Sequence, residues 1–201
     1  MLLSHKASSL NRREQELPLQ QYQRGDEISV IDSGIWQVYR GVVQLSKVQS
    51  DGTEVISGWV TADGVFGSND ADSSVVYRAI ALGDVYAKRY PTQDIVLYPA
   101  LARQFMTQFS DRLIKSQQLQ TIIAIGKVEE RLKHLLSFLQ QEIGQPVEDG
   151  VRLQVRFTHQ HLAESIHTTR VTITRILGDF QAQGLVYFDG DRHLIIKNLW
   201  L

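Results

Sequence analysis

Arg170 and Arg175 stand five residues apart in the segment Arg170-Val-Thr-Ile-Thr-Arg175, with Thr169, Val171 and Thr174 beside them. On a helix these side chains share one face, because residues three to five apart stack along a 3.6-residue period. A guanidinium on such a face donates two hydrogen bonds to guanine O6 and N7, which is worth roughly 1–3 kcal/mol of discrimination between bases. An exposed valine touches the thymine methyl, and no other base offers one in the major groove. The only acid within four positions of either arginine is Asp179. Both cations are therefore left for an outside ligand. A small helical interaction domain with a solvated face is the plainer reading of the same pattern, and it leaves these arginines without a purpose.

The flanking segments read as the scaffold for that face. Val151, Leu153, Val155 and Phe157 alternate with Arg152, Gln154 and Arg156, the period of a half-buried strand. Thr158 then stands as an N-cap before His159-Gln-His-Leu-Ala-Glu-Ser-Ile. A break at His167-Thr168-Thr169 leads into the arginine-bearing helix, and Gly184 closes it. Leu185-Val-Tyr-Phe and Arg192-His-Leu-Ile-Ile-Lys flank Asp189-Gly190-Asp191, a tight hairpin. Strand, helix, turn, helix and hairpin in this order make a winged helix-turn-helix. Leu162, Ile166, Ile173 and Ile176 fall where the two helices must meet, and Ala163 falls where only a small side chain admits the second. The first turns of that second helix are the part that enters a major groove. The candidate DNA face is thus Thr158, His159, Gln160, Thr168, Thr169, Arg170, Val171, Thr172, Thr174 and Arg175. Arg152, Arg156, His159, Gln160 and Lys197 are expected to contact phosphates and set register.

Charge alone does not make this case. The 201-residue chain has a net charge of −1, and residues 126–201 hold nine Lys/Arg against nine Asp/Glu. A DNA reader so balanced must concentrate its cations on one face. Five of the six histidines lie in the same span. The absence of cysteine excludes disulfides, thiolate zinc sites and cysteine-ligated clusters. No run reaches the roughly 18 apolar residues of a membrane span, and the N-terminus lacks a signal-like apolar stretch, so the expected location is the cytoplasm.

Ahead of the winged segment the chain changes character twice. Residues 18–93 read as short strands with turns: Gln37-Val-Tyr-Arg-Gly-Val-Val-Gln-Leu, the Ser50-Asp51-Gly52-Thr53 turn, Glu54 to Val60, Val75 to Leu82 and Val85 to Tyr90. Strands at this spacing suggest a barrel or jelly roll. Between Pro99 and Ala124 no glycine or proline intervenes, and Leu101, Phe105, Phe109 and Leu113 repeat every four residues before Leu119, Ile122 and Ile123. That predicts one helix of about 25 residues. Packing on its own barrel is one use for it. A two-helix dimer seam through Phe105, Phe109, Leu113, Leu119 and Ile123 is preferred. After Gly126, a further helix from Lys127 to Glu142 is predicted, ended by Gly144, Pro146 and Gly150.

With Thr168-Thr-Arg-Val-Thr-Ile-Thr-Arg-Ile-Leu-Gly-Asp-Phe in place, the chain resembles the CRP/FNR family of bacterial regulators (catabolite activator and fumarate–nitrate regulator types). It is most similar to the cyanobacterial nitrogen-control (NtcA-like) branch. The resemblance covers nearly everything after about residue 20. It implies an α+β architecture: a cyclic-nucleotide-binding-type β-roll over 1–98, a dimerisation helix over 99–125 and a winged helix-turn-helix over 126–201. It also implies a homodimer on double-stranded DNA and RNA polymerase as a further partner. The site would be a palindrome of GTA-N8-TAC type read by Arg170, Val171 and Arg175, with half-sites about 34 Å apart. Where much of the family has an acid after the first recognition-helix arginine, this chain has Val171. His167 replaces the usual turn glycine, and histidine is among the residues enriched at positive φ.

The sensor half departs further from the family. Asp63-Gly64-Val65-Phe66-Gly67 resembles the approach to a ligand cassette formed by Phe66, Gly67, Ser68, Ser73, Ser74 and Val75. Nucleotide binders place a glutamate after that glycine and an arginine further on, whereas this chain has Ser68 and Ser73. A buried phosphate without a cation is badly compensated, so cyclic AMP is disfavoured. The nitrogen-control branch binds 2-oxoglutarate with help from a cassette arginine, which Val75 or a neighbour replaces here, and Arg78 substitutes only if it points inward. The expectation is 2-oxoglutarate or no ligand. Metal oxygenases also use β-rolls, but they need clustered histidines, and none occurs between His5 and His134. Nor is there a phosphate-binding glycine loop with its lysine, or a nucleophile elbow. No catalytic or metal-binding residues are therefore assigned. A ligand-sensing interaction module that has lost DNA binding is the remaining alternative.

Overall fold

The computed structural model describes residues 17–30, 34–67 and 76–197. The first half is two facing antiparallel sheets. One contains β1 (Gln20–Tyr22), β7 (Val85–Pro91), β2 (Gly34–Arg40) and β5 (Val65–Phe66) in that order; the other contains β4 (Glu54–Val60), β3 (Val43–Val48) and β6 (Val76–Ala81). Ile28, Trp36, Val38, Val43, Phe66 and Ala79 fill the space between them. This is the expected roll, with one difference. The alternating run from Gln37 to Leu45 is two strands, not one, because the chain turns at Gly41 (φ +94°). A β-carbon there would collide with the Asp84 carbonyl and Val85. The Asp51-Gly52 turn joins β3 to β4 as read, with Gly52 at φ +83° and Gln49 N–H donating to Thr53 O at 2.9 Å.

Three helices follow: a short α1 (Thr92–Leu97), the long α2 (Pro99–Ile123) and α3 (Val128–Ile143). Then come β8 (Gly144–Val147), β9 (Gly150–Leu153), α4 (His159–Ser165), α5 (Arg170–Ala182), β10 (Val186–Phe188) and β11 (Leu194–Ile196). The last sheet runs β10-β11-β9-β8. β9 stops at Leu153, although the alternation continues: Val155 and Phe157 are each 5% exposed, while Gln154 and Arg156 face water. The inward pattern therefore outlasts the hydrogen-bonded ladder. Hydrophobic burial does not need a partner strand, but ladder bonds do.

The long helix corrects part of the expected subunit face. Phe105 is 1% exposed and packs edge-on against Tyr90, ring centroids 5.2 Å apart. Leu119 is 2% exposed within the cluster that α3 and the winged segment build. Both side chains are covered by their own chain and have no surface left for a second one. Phe109 and Ile123 are half-buried against the same clusters, and Leu113 is exposed. The apolar positions that α2 turns outward are Met106, Leu113 and Ile114. A period near 3.6 puts i and i+4 on one face without telling which apolar face is inside.

One cluster joins the two halves. Val42, Ile56, Trp59 and Leu82 of the roll belong to the same buried core as Leu135, Leu139, Phe157 and Ile176. Trp59 lies at the centre, 6.3 Å from the Phe138 ring and 5.9 Å from the Phe157 ring. Among the described residues, no helix is long and apolar enough to cross a membrane.

Candidate nucleic-acid interface

Two threonine caps set up the helix pair. Thr158 accepts the His161 N–H at 3.0 Å to start α4, and Thr169 accepts the Thr172 N–H at 3.2 Å to start α5. Each cap satisfies a donor that the first helical turn leaves open. Between the helices His167 adopts φ +53°, the left-handed conformation expected of it, and Thr168 N–H closes the turn on Ala163 O at 2.9 Å. Leu162, Ala163, Ile166, Ile173 and Ile176 are all 2% exposed or less. The inner faces are therefore fully used, and the orientation of the outer face of α5 follows from them.

That outer face matches the residues singled out above. Val171 is 78% exposed, and Arg170, Thr174 and Arg175 are exposed beside it. The Arg170 guanidinium makes no ion pair or hydrogen bond among the described residues. Arg175 reaches Asp179 at 3.3 Å, with both side chains more than half exposed. A surface i,i+4 pair of this kind is worth only about 0.3–0.5 kcal/mol, so it holds Arg175 loosely. Thr158, Gln160 and Thr169 are exposed, whereas His159, Thr168 and Thr172 are half-buried. Gln160 bonds Glu164 at 2.7 Å, and the Thr169 and Thr172 hydroxyls lie 2.9 Å apart. His159 Nδ1 lies 2.8 Å from Thr174 Oγ1. Burial, and then the nearby Arg170 guanidinium, hold its ring below the ordinary histidine value.

Two expected phosphate ligands have other partners. Arg152 bonds Asp189 through Nε at 2.6 Å and lies 3.7 Å from Asp191. Asp189 also accepts the Asp191 and His193 N–H groups, at 2.9 and 2.8 Å. The Arg152 bond, followed by these N–H groups, pulls the Asp189 carboxyl below its ordinary value. Arg152 thus braces the turn of the wing, and its guanidinium is not free for DNA. Lys197 lies over the Tyr187 ring at 5.4 Å and 3.9 Å from Asp149. Arg156 remains exposed. Sequence spacing could not reveal the Arg152–Asp189 bond, because 37 residues separate the partners.

The roll contributes a second feature. Phe66 and Gly67 line a cavity of about 590 Å³ between the sheets and α2, whereas Ser68, Ser73, Ser74 and Val75 lie outside the described residues. Arg78 also lines the cavity, but its guanidinium bridges Glu27 at 3.2 Å and Glu54 at 2.9 Å, so its charge is already paired. Three other cations line it: Lys115 pairs with Glu142 at 2.6 Å, Lys47 lies over the Tyr77 ring at 5.2 Å, and the third is Arg112. Arg112 of α2 lies over the Phe109 ring at 5.3 Å, has no carboxylate partner among the described residues, and is pulled below its ordinary value by burial. Sequence reasoning passed over Arg112, since an arginine in an amphipathic helix reads as surface until the neighbouring sheets are in place.

Comparison with known proteins agrees with this geometry. Residues 130–200 match the Crp-like helix-turn-helix domain. Over 184 residues the chain is 30% identical to a global nitrogen regulator of Synechococcus elongatus, covering 85% of this chain and 83% of that one. It is 28% identical over 160 residues to a global nitrogen regulator of Synechocystis, covering 76% and 71%. A CRP-family transcriptional regulator from Thermus thermophilus shares the fold with a TM-score of 0.75 at 16% identity, covering 90% of this chain and 92% of that one. With the helix pair, wing and roll arranged as above, the chain belongs to the CRP/FNR family of DNA-binding transcription regulators.

Proposed function

We propose that this protein works in the cytoplasm as a two-fold homodimer reading a palindromic DNA site of GTA-N8-TAC type, without enzymatic activity. Residues 1–98 serve as sensor, 99–125 as dimer helix and 126–201 as DNA reader. One observation carries the proposal. Arg170, Val171 and Arg175 project from the first turns of a helix whose opposite face is wholly buried. In each half-site an arginine donates to the guanine and Val171 meets a thymine methyl. Thr158, Gln160, Thr169 and Arg156 approach phosphates and fix register. Met106, Leu113 and Ile114 supply the apolar strip for the partner helix, spaced i, i+7 and i+8. RNA polymerase is the downstream partner.

For the effector, the cavity favours a small anion. Arg112 is a half-buried cation that reaches the Val65 carbonyl at 3.5 Å and has no carboxylate partner among the described residues, and a charge withdrawn from water is stabilised by a counter-charge with hydrogen bonds. A small carboxylate ligand such as 2-oxoglutarate meets that demand. Hydroxyl-radical footprinting on one palindrome tests the DNA reading. Protection of two patches one helical turn apart on the same side of the duplex supports it. Uniform or absent protection overturns it.

A further inference from the structure

The first helix of the pair determines what the second can show to DNA. Thr174 Oγ1 lies 2.9 Å from Arg170 O and 2.8 Å from His159 Nδ1. A hydroxyl has one hydrogen, and a carbonyl can only accept. The Thr174 hydrogen must therefore go to Arg170 O, and the second contact is a bond only if His159 donates from Nδ1. The neutral ring then carries its single N–H on Nδ1. Burial and the Arg170 guanidinium both favour that neutral form. The groups facing the ring are Arg170 and Thr174 from α5 and Phe188 of the wing, at 6.2 Å.

The consequence falls on Thr174. Its oxygen is engaged with the protein on two sides, yet the residue is exposed. What it has left for the groove is its γ-methyl. Three residues earlier, Val171 is 78% exposed on the same face. The two make an apolar strip between Arg170 and Arg175.

We propose that the Thr174 methyl, held outward by the His159–Thr174–Arg170 chain, is a second reader of thymine methyl groups beside Val171, and that His159 is the positioning residue that holds it. This rests on the DNA-reading role proposed above and extends it to two residues whose hydroxyl and imidazole would otherwise be taken as polar base or phosphate contacts.

The test replaces each thymine of the half-sites, one position at a time, with deoxyuridine. The substitution removes the methyl and leaves the hydrogen-bonding edge intact. Fluorescence-anisotropy titrations at fixed salt then give a thymine-to-uracil affinity ratio for each position. For the wild-type dimer, two positions should each show a loss of on the order of tenfold when both half-sites are substituted, the scale of one buried methyl per half-site. Val171→Ala should erase the ratio at one position. Thr174→Ser, which keeps the hydroxyl chain and removes the methyl, should erase it at the other. His159→Ala should erase the Thr174-dependent ratio as well, and His159→Asn, with an amide donor near the place of Nδ1, should restore it. A role for His159 in folding alone would shift the melting temperature and leave the ratio untouched. Wild-type protein that distinguishes the palindrome from a scrambled duplex but binds thymine and deoxyuridine forms equally overturns this inference and the methyl contact of Val171, and leaves the arginine reading standing. An unchanged ratio in Thr174→Ser overturns this inference alone. Failure to distinguish palindrome from scrambled duplex overturns the DNA reading along with it.

Discussion

Replacing Trp59 by alanine should cost this protein about 3–4 kcal/mol, because the indole joins the roll to the winged segment. The side chain is 6% exposed, and a buried tryptophan removes roughly 150–250 Å² from water. At about 25 cal/mol per Å² that amounts to about 4–6 kcal/mol, an upper figure because the unfolded chain already hides part of this area. Two corrections oppose each other. Edge and tilted contacts with Phe157 and Phe138 add about 0.5–1.5 kcal/mol each. Against that, Trp59 Nε1 has no hydrogen-bond partner among the described residues, and burying a donor unsatisfied costs about 1–3 kcal/mol that truncation recovers. The same reasoning makes Trp59→Phe cheaper than its loss of size suggests. Urea unfolding at fixed protein concentration, followed by circular dichroism, measures the loss, and a double-mutant cycle with Phe157→Ala should return about 1 kcal/mol of coupling. A loss below about 1.5 kcal/mol, or no coupling, would refute the claim that one core spans both halves.

Three further outcomes follow from named contacts. Asp189→Ala removes the acceptor for Arg152 and for two N–H groups of the wing turn; hydrogen exchange at Val186–Phe188 and Leu194–Ile196 should accelerate by the equivalent of about 1–2 kcal/mol, and unchanged protection contradicts the bracing role. Burial holds His161 below the ordinary histidine value, with Glu164 raising it and Arg24 lowering it, and burial with Arg170 does the same to His159. The unfolded chain therefore binds more protons than the folded one below about pH 6.5, and stability must fall as pH drops through that point; a urea midpoint that does not decline between pH 7.5 and 5.5, or a decline that persists in the double variant His159→Asn, His161→Gln, contradicts this. Leu113→Glu with Ile114→Glu should give monomers by sedimentation at micromolar concentration while leaving the secondary structure intact, and a persistent dimer removes α2 from the interface.

How much could be read in advance depended on how local the determining interaction was. The Thr158 cap, the turn at His167, the buried quartet of the helix pair and the Asp51-Gly52 hairpin are set by residues within a few positions of each other, and they stand out in the sequence. The split at Gly41 did not, since its cause is the close approach of Asp84 and Val85 from a distant strand. Phe105 and Leu119 were placed on the wrong face because a helical period identifies an apolar stripe without saying which of two neighbours covers it. Arg152 reads as a phosphate ligand, and Arg112 carries no signal in the sequence, for a related reason. A cation's role depends on what folds against it, and Asp189 in one case and the roll cavity in the other come from far along the chain.

The central claim is that guanidinium groups on α5 read bases, and Arg175→Ala tests it most directly. Anisotropy titrations of wild type and variant on a GTA-N8-TAC duplex and on a scrambled duplex, at one salt concentration, should show the variant at least tenfold weaker on the palindrome and nearly unchanged on the scramble, with the dimer intact. Equal losses on both duplexes, or an undiminished preference for the palindrome, would contradict it.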